Sequence, residues 1–217
     1  MSASEVAGLL AGEEVTLSHI RRAVHHLTKQ NRALLYDEEH PLHKSAAGEF
    51  FEALVYELLI SSSEEAPCIQ SIAAKLSDAE YIPYDKYSPD GLWYSRDGGI
   101  RFKIGGRVAA EIDLLIRTRD GVRVFGEVIT SPTGTKGFLA EVAAKKSLLS
   151  ELYGDPVEFL LVLSTDPKTG LRCVGDNDAF AVIPGGDTLY KKVLKSEVIM
   201  RKLSPAKSTK RVDGRVW

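Results

Sequence analysis

Glu111, Asp113 and Glu127 stand in a segment, Arg107–Thr130, whose apolar residues alternate with other types on two successive arms. That period belongs to paired β-strands, and Arg119-Asp120-Gly121 reads as the turn between them, with glycine free to take positive φ. On the first arm Glu111, Asp113 and Leu115 share one face and Ile112, Leu114 and Ile116 the other. On the second arm Arg123, Phe125, Glu127 and Ile129 share a face. Carboxylates on adjacent strands repel unless something positive lies between them. A hard divalent cation, which prefers oxygen ligands, is the simplest candidate. The plain alternative is two solvated strand faces carrying scattered acids.

The elements that must position these acids follow from periodicity. Residues 3–12 and 16–36 read as helices, the second capped by Thr16 or Ser18. Beyond a polar linker broken by Pro41, residues 46–60 form an amphipathic helix with Phe50, Phe51, Leu54, Val55 and Leu58 on one stripe. Residues 67–76 read as a short helix, and residues 81–106 as loops with short strands at 92–95 and 100–104. A helix over 138–153 is stopped by Gly154 and Pro156. The run Glu158–Leu163 suits a strand buried on both faces, residues 180–183 a last strand, and 188–203 a helix. The helix between Thr130 and Glu158 is a crossover long enough to make its flanking strands parallel. The expectation is an α/β fold, a mixed sheet flanked by helices.

Length and composition set the frame. At 217 residues the chain holds one substantial core. No apolar run approaches a membrane span, no secretory leader is visible, and the isolated Cys68 and Cys173 suit a reducing cytoplasm. The net charge of −2 is unevenly spread: residues 187–217 hold nine Lys/Arg against three acids, +6 there and −8 elsewhere. Such a basic end is either an electrostatic foot for nucleic acid or a solvated helix and tail.

Gly48-Glu-Phe-Phe-Glu52, Ile112-Asp113-Leu114 and Gly126-Glu127-Val128, followed by helix 138–153 and strand 158–163, together resemble the PD-(D/E)xK nuclease superfamily. The resemblance covers roughly residues 45–183 and implies a restriction-endonuclease-like core at 45–186. An N-terminal helical extension, 1–44, and a basic C-terminal helix and tail, 187–217, flank it. It implies Asp113 and Glu127 as Mg²⁺ ligands, with Mn²⁺ as a substitute, and Glu52 as an accessory ligand. The chemistry implied is hydrolysis of nucleic-acid phosphodiesters, DNA favoured over RNA, with homodimerisation through the N-terminal helices as an option. The physical reason stands beside the likeness: a carboxylate-bound Mg²⁺ lowers the pKa of its water and withdraws charge from a phosphate oxygen. Glu52 borders its helix's apolar stripe, as does Glu57 on the opposite border, so a solvated flank is the competing reading.

The chain departs from the family pattern at one place. The motif lysine belongs two residues after Glu127, where Ile129 stands. Lys146 fills a gap in the seam Leu139, Val142, Leu149, Tyr153, and Lys145 fills one in the alternative seam Phe138, Val142, Leu149, Leu152. A lysine on an apolar seam is costly unless its head reaches water or a carboxylate. Either is a candidate for the displaced catalytic lysine, Lys146 slightly ahead, with Lys136 third. The rival reading, supported by Ile129, is a catalytically inactive nuclease-like module that binds nucleic acid or scaffolds a partner. Other features read as structural: Pro89-Asp90-Gly91 as a turn, His40 and His43 without a third ligand, and Gly134-Thr-Lys-Gly137 without a P-loop pattern. Trp93, Tyr94 and Tyr81, Tyr84 and Tyr87 are core anchors or base-stacking residues.

Overall fold

The computed structural model describes residues 2–65, 68–74, 91–94, 99–130, 135–165 and 178–193. Helix α1 (Ala3–Gly12) opens on a reciprocal capping box between Ser2 and Glu5. The single helix expected over 16–36 is two, α2 (Leu17–His26) and α3 (Lys29–Leu34). Buried Leu27 takes extended backbone between them, and the Thr28 hydroxyl restarts the helix by accepting from the Asn31 N–H at 3.1 Å. Helix α4 (His43–Glu65) carries the Phe50/Phe51 stripe and runs a turn further at its C-terminus than the pattern predicts.

Residues 67–76, expected as a helix, contain instead strand β1 (Ile69–Ala74). Its neutral Ile-Gln-Ser-Ile-Ala-Ala composition permits either state, and pairing with an apolar neighbour decides the outcome. Strands β2 (Gly91–Tyr94), β3 (Ile100–Ile104) and β4 (Arg107–Ile112) form a small antiparallel sheet. Strands β5 (Leu114–Thr118) and β6 (Arg123–Ile129) form the hairpin with Gly121 at φ +89°. Helix α5 (Thr135–Tyr153) crosses over to β7 (Glu158–Leu163), and β8 (Ala179–Val182) closes the sheet. The helix expected over 188–203 begins as a short 3₁₀ helix, Gly186–Lys192, which gives way to extended backbone at Val193. The rest of the basic tail, the tyrosines at 81, 84 and 87, Pro89-Asp90 and Cys173 lie outside the described residues, as do the Trp93, Tyr94 and Lys136 side chains.

The main sheet is mixed, ordered β1-β5-β6-β7-β8, antiparallel from β1 to β6 and parallel from β6 to β8. Strand alternation sorts its side chains into two cores. Leu114, Ile116, Val124, Val128, Leu160 and Val162 meet α1, α2 and α4 on one face. Leu115, Phe125, Phe159, Leu161 and Leu163 meet α5 and the small sheet on the other. Helices α1–α3 share the first of these cores with the sheet, Ala3, Val6, Leu10, Ile20 and Leu35 being buried in it. Among the described residues no helix is long and apolar enough to cross a membrane.

The first arm of the acidic segment is not one strand. It divides at Asp113, which stands alone between β4 of the small sheet and β5 of the main one. Alternation of apolar residues runs through this junction unbroken, so the sequence pattern does not reveal it.

Candidate active site

The β5–β6 register sets the site. Leu114 lies opposite Gly126, which brings Asp113 alongside the next residues of β6. A Cβ at position 126 would sit 3.1 Å from the Leu114 side chain and 3.3 Å from the Leu160 carbonyl oxygen, so glycine lets the three strands close up there. The Val128 N–H donates to Asp113 Oδ2 at 2.9 Å and fixes that carboxylate at the strand junction.

Glu127 follows the parity of Phe125 and faces α5. Its side chain is 11% exposed, and Nζ of Lys145, whose side chain is 6% exposed, donates to Oε1 at 2.8 Å. Lys145 lies between Val142 and Leu149 on the buried stripe of α5 and also contacts Glu141 Oε1 at 2.9 Å, one turn earlier and solvent-exposed. Burial and then the neighbouring Asp113 charge push the Glu127 carboxyl up to about 8, against the pull of Lys145. Burial opposes the Lys145 ammonium, yet the Glu127 carboxylate, with Glu141 behind it, carries its pKa above the ordinary lysine value. The result is a buried acid whose charge depends on one lysine, beside a second acid held by backbone. Beyond it, Ser164 Oγ donates to the Thr130 carbonyl at 2.7 Å and ties the ends of β6 and β7 together.

The other candidates have other partners or sit on other elements. Lys146, about 100° further round α5, reaches Asp178 at 2.7 and 2.9 Å and not Glu127. Asp178, which sequence reasoning missed, is buried ahead of β8 and also accepts from the Phe159 N–H at 2.9 Å. A lysine on an apolar seam signals a carboxylate partner, but nothing in the pattern points to one 32 residues away. Glu111 sits on β4, exposed and paired with Arg101 at 2.8 Å, and so belongs to the small sheet. Ile129 is partly buried against the α5-side core. Glu52 is half-buried on α4, the helix that packs on the sheet face opposite to α5. Its counterpart Glu57 is buried and holds α2 to α4 through Arg22 at 3.0 Å and His26 at 2.5 Å. His43 contacts the Leu34 carbonyl and the Tyr190 hydroxyl. Among the described residues no three His, Cys, Asp or Glu side chains assemble into a metal-binding group.

No family model matches the chain, and no curated protein matches it. Among solved structures it is similar to the EndoMS–dsDNA2 complex, with 15% identity over 58% of this chain and 43% of that one, at a TM-score of 0.32. It is also similar to protein VC1899 from Vibrio cholerae, with 15% identity over 92% of this chain and 52% of that one, at a TM-score of 0.41. The chain spans about half the length of these solved chains.

Proposed function

We propose that Asp113, Glu127 and Lys145 form the hydrolytic centre of a PD-(D/E)xK-type, restriction-endonuclease-like nuclease acting on nucleic acid, DNA favoured. One observation carries the reading: where the motif lysine is replaced by Ile129, Lys145 of the next helix brings its ammonium to 2.8 Å from the motif acid. A buried lysine is expensive, and its delivery to this carboxylate, beside a second one, is the charge pattern that phosphate chemistry uses.

Two carboxylates suit Mg²⁺, which takes one or two protein carboxylates together with waters and substrate phosphates. Asp113 and Glu127 would hold the ion; Glu52 stays outside the proposal, on the helix of the opposite face. When bound, the ion supplies an acidified water and neutralises charge on a phosphate oxygen. Lys145 stabilises negative charge building on the phosphate and orients the attacking water through its donors. Glu141, at the exposed rim, is a second carboxylate that holds the Lys145 ammonium charged and in place, and would go on doing so if Glu127 served an ion. The surrounding apolar wall, Ile129 and Val142 among it, strengthens each of these interactions by excluding water.

The test is cleavage of labelled DNA and RNA panels with Mg²⁺ or Mn²⁺, comparing the parent with Asp113→Ala, Lys145→Met and Lys146→Met at equal folded fraction. The expected result is metal-dependent cutting lost in Asp113→Ala, reduced at least about 100-fold in Lys145→Met, and retained in Lys146→Met. Cutting that survives Asp113→Ala sinks the proposal. A second reading, the inactive module that grips nucleic acid or a partner, draws on Lys145 being engaged by two carboxylates at once. Salt-sensitive binding without cutting by the parent would select it.

A further inference from the structure

Strands β3 and β4 meet in a tip, Lys103-Ile104-Gly105-Gly106-Arg107-Val108, with both glycines at positive φ, 57° and 75°. Ile104 and Val108 are 52% and 49% exposed, and Arg107 is exposed beside them. Ile104 and Val108 fall within five residues of one tip, whereas the other exposed large hydrophobics among the described residues, Leu17, Leu42, Leu152 and Phe180, stand singly along the chain, so the pairing here calls for a reason. The register supplies it. Ile104 lies opposite Arg107, and Lys103 lies opposite Val108. Directly opposed residues project to the same side of an antiparallel pair. Each face of the ribbon therefore carries one aliphatic and one cationic side chain, Arg107 exposed and Lys103 half-buried and already engaged within the fold.

A surface built for a protein partner or a second copy gathers its apolar residues on one face, and this ribbon does not. A two-faced tip matches a slot with two charged walls. The major groove of B-form DNA is such a slot: it admits a two-stranded β-ribbon, carries phosphates on both sides, and offers thymine methyls to aliphatic side chains. Position agrees. β4 ends at Ile112, so four residues lie between Val108 and Asp113, and five steps at ~3.4 Å give at most about 17 Å, with the register shift at Ala109 shortening it. That is about half of one helical repeat of roughly 34 Å along duplex DNA, so tip and acids can meet one duplex together.

We propose that the β3–β4 tip enters the major groove of duplex DNA, with Lys103 and Arg107 on the phosphates of its two walls and Ile104 and Val108 against base edges. The inference rests on the nucleic-acid reading above and adds the groove, the ribbon and the duplex. Duplex RNA is excluded as the ligand, because its A-form major groove is too deep and narrow for side chains.

The experiment is fluorescence anisotropy of the full chain on a labelled 30-base-pair DNA duplex with EDTA present, at several KCl concentrations. Lys103→Gln/Arg107→Gln and Ile104→Ser/Val108→Ser are compared with the parent, folding being checked by circular dichroism. Removing two phosphate contacts should weaken binding about tenfold and lower the salt slope by about two. The serine pair should weaken binding several-fold and leave that slope unchanged. A major-groove ligand, methyl green, should compete, and the minor-groove ligand netropsin should not. Parent binding that neither double variant alters, or that netropsin alone displaces, overturns the hairpin proposal and leaves the nuclease reading standing. A parent that does not bind this duplex overturns the hairpin proposal, and the nuclease reading is then decided by the metal-dependent cleavage panels above. A fall in sedimentation mass in the serine variant, with DNA binding unchanged, assigns the tip to self-association and overturns the proposal.

Discussion

Glu127 is the residue on which stability and chemistry pull in different directions. Its carboxyl is raised to about 8 in the fold, chiefly by burial, against an ordinary 4.5. A raised pKa means that the folded state favours the protonated acid. Its stabilising contribution is whole below pH 4.5 and is lost as pH climbs through about 8. Without divalent ions, Glu127→Gln should therefore match the parent near pH 5 and exceed it at pH 8.5 by on the order of 2–4 kcal/mol. Urea denaturation in EDTA at the two pH values measures this, and a difference that does not grow with pH contradicts it. The sequence exposed Glu127 as an acid in an apolar strand. It placed Lys146 slightly ahead of Lys145, both occupying gaps in plausible seams one residue apart, whereas it is Lys145 that meets Glu127. Only the way α5 packs on the sheet decides which of them meets Glu127 and which meets Asp178.

At the scale of elements, those with strong period were legible: α4, α5, the β5–β6 turn and β7 lie close to where alternation and helical spacing put them. Strand β1 was not, because its residues lack a decisive preference and its state comes from pairing with β5. Nor was the division at Asp113, since a chain passing from one sheet into another keeps the same alternation. A tight contact anchors the last element. A Cβ at Gly186 would stand 2.3 Å from Phe51 Cε2 and 3.2 Å from Ile183 Cγ2, so the 3₁₀ helix lies directly on α4. Gly186→Ala must push a fully buried ring aside and should cost about 1–3 kcal/mol. A thermal midpoint within a degree of the parent would show that Phe51 yields freely.

For the whole molecule, the N-terminal helices are part of the structure that holds the sheet. Val6 is fully buried and Leu10 nearly so, and α1 packs on β7 and β8, with the Ala3 N–H donating to Glu158 at the start of β7. An aspartate placed there has no partner and cannot reach water. Val6→Asp should cost more than about 3 kcal/mol and disturb the sheet as well as the helix, which limited proteolysis with mapping of cuts in β7 and β8 would register. Cuts confined to the first 44 residues would instead mark a detachable extension. The sequence marks residues 1–44 as a helical extension because Pro41 and its polar neighbours resemble a linker; the core those helices share with the sheet is a property of packing that no local pattern encodes.

One junction ties these scales together. Between Ile112 and Leu114 there is a single residue and no slack, and that residue is Asp113. The small sheet and the main sheet are thus joined by a stiff crank with a carboxylate at its elbow. A twist applied at the far end of β4 passes one irregularity, the register shift at Ala109, and then runs straight to that oxygen pair. Whatever seizes the tip thereby acquires leverage over the acid.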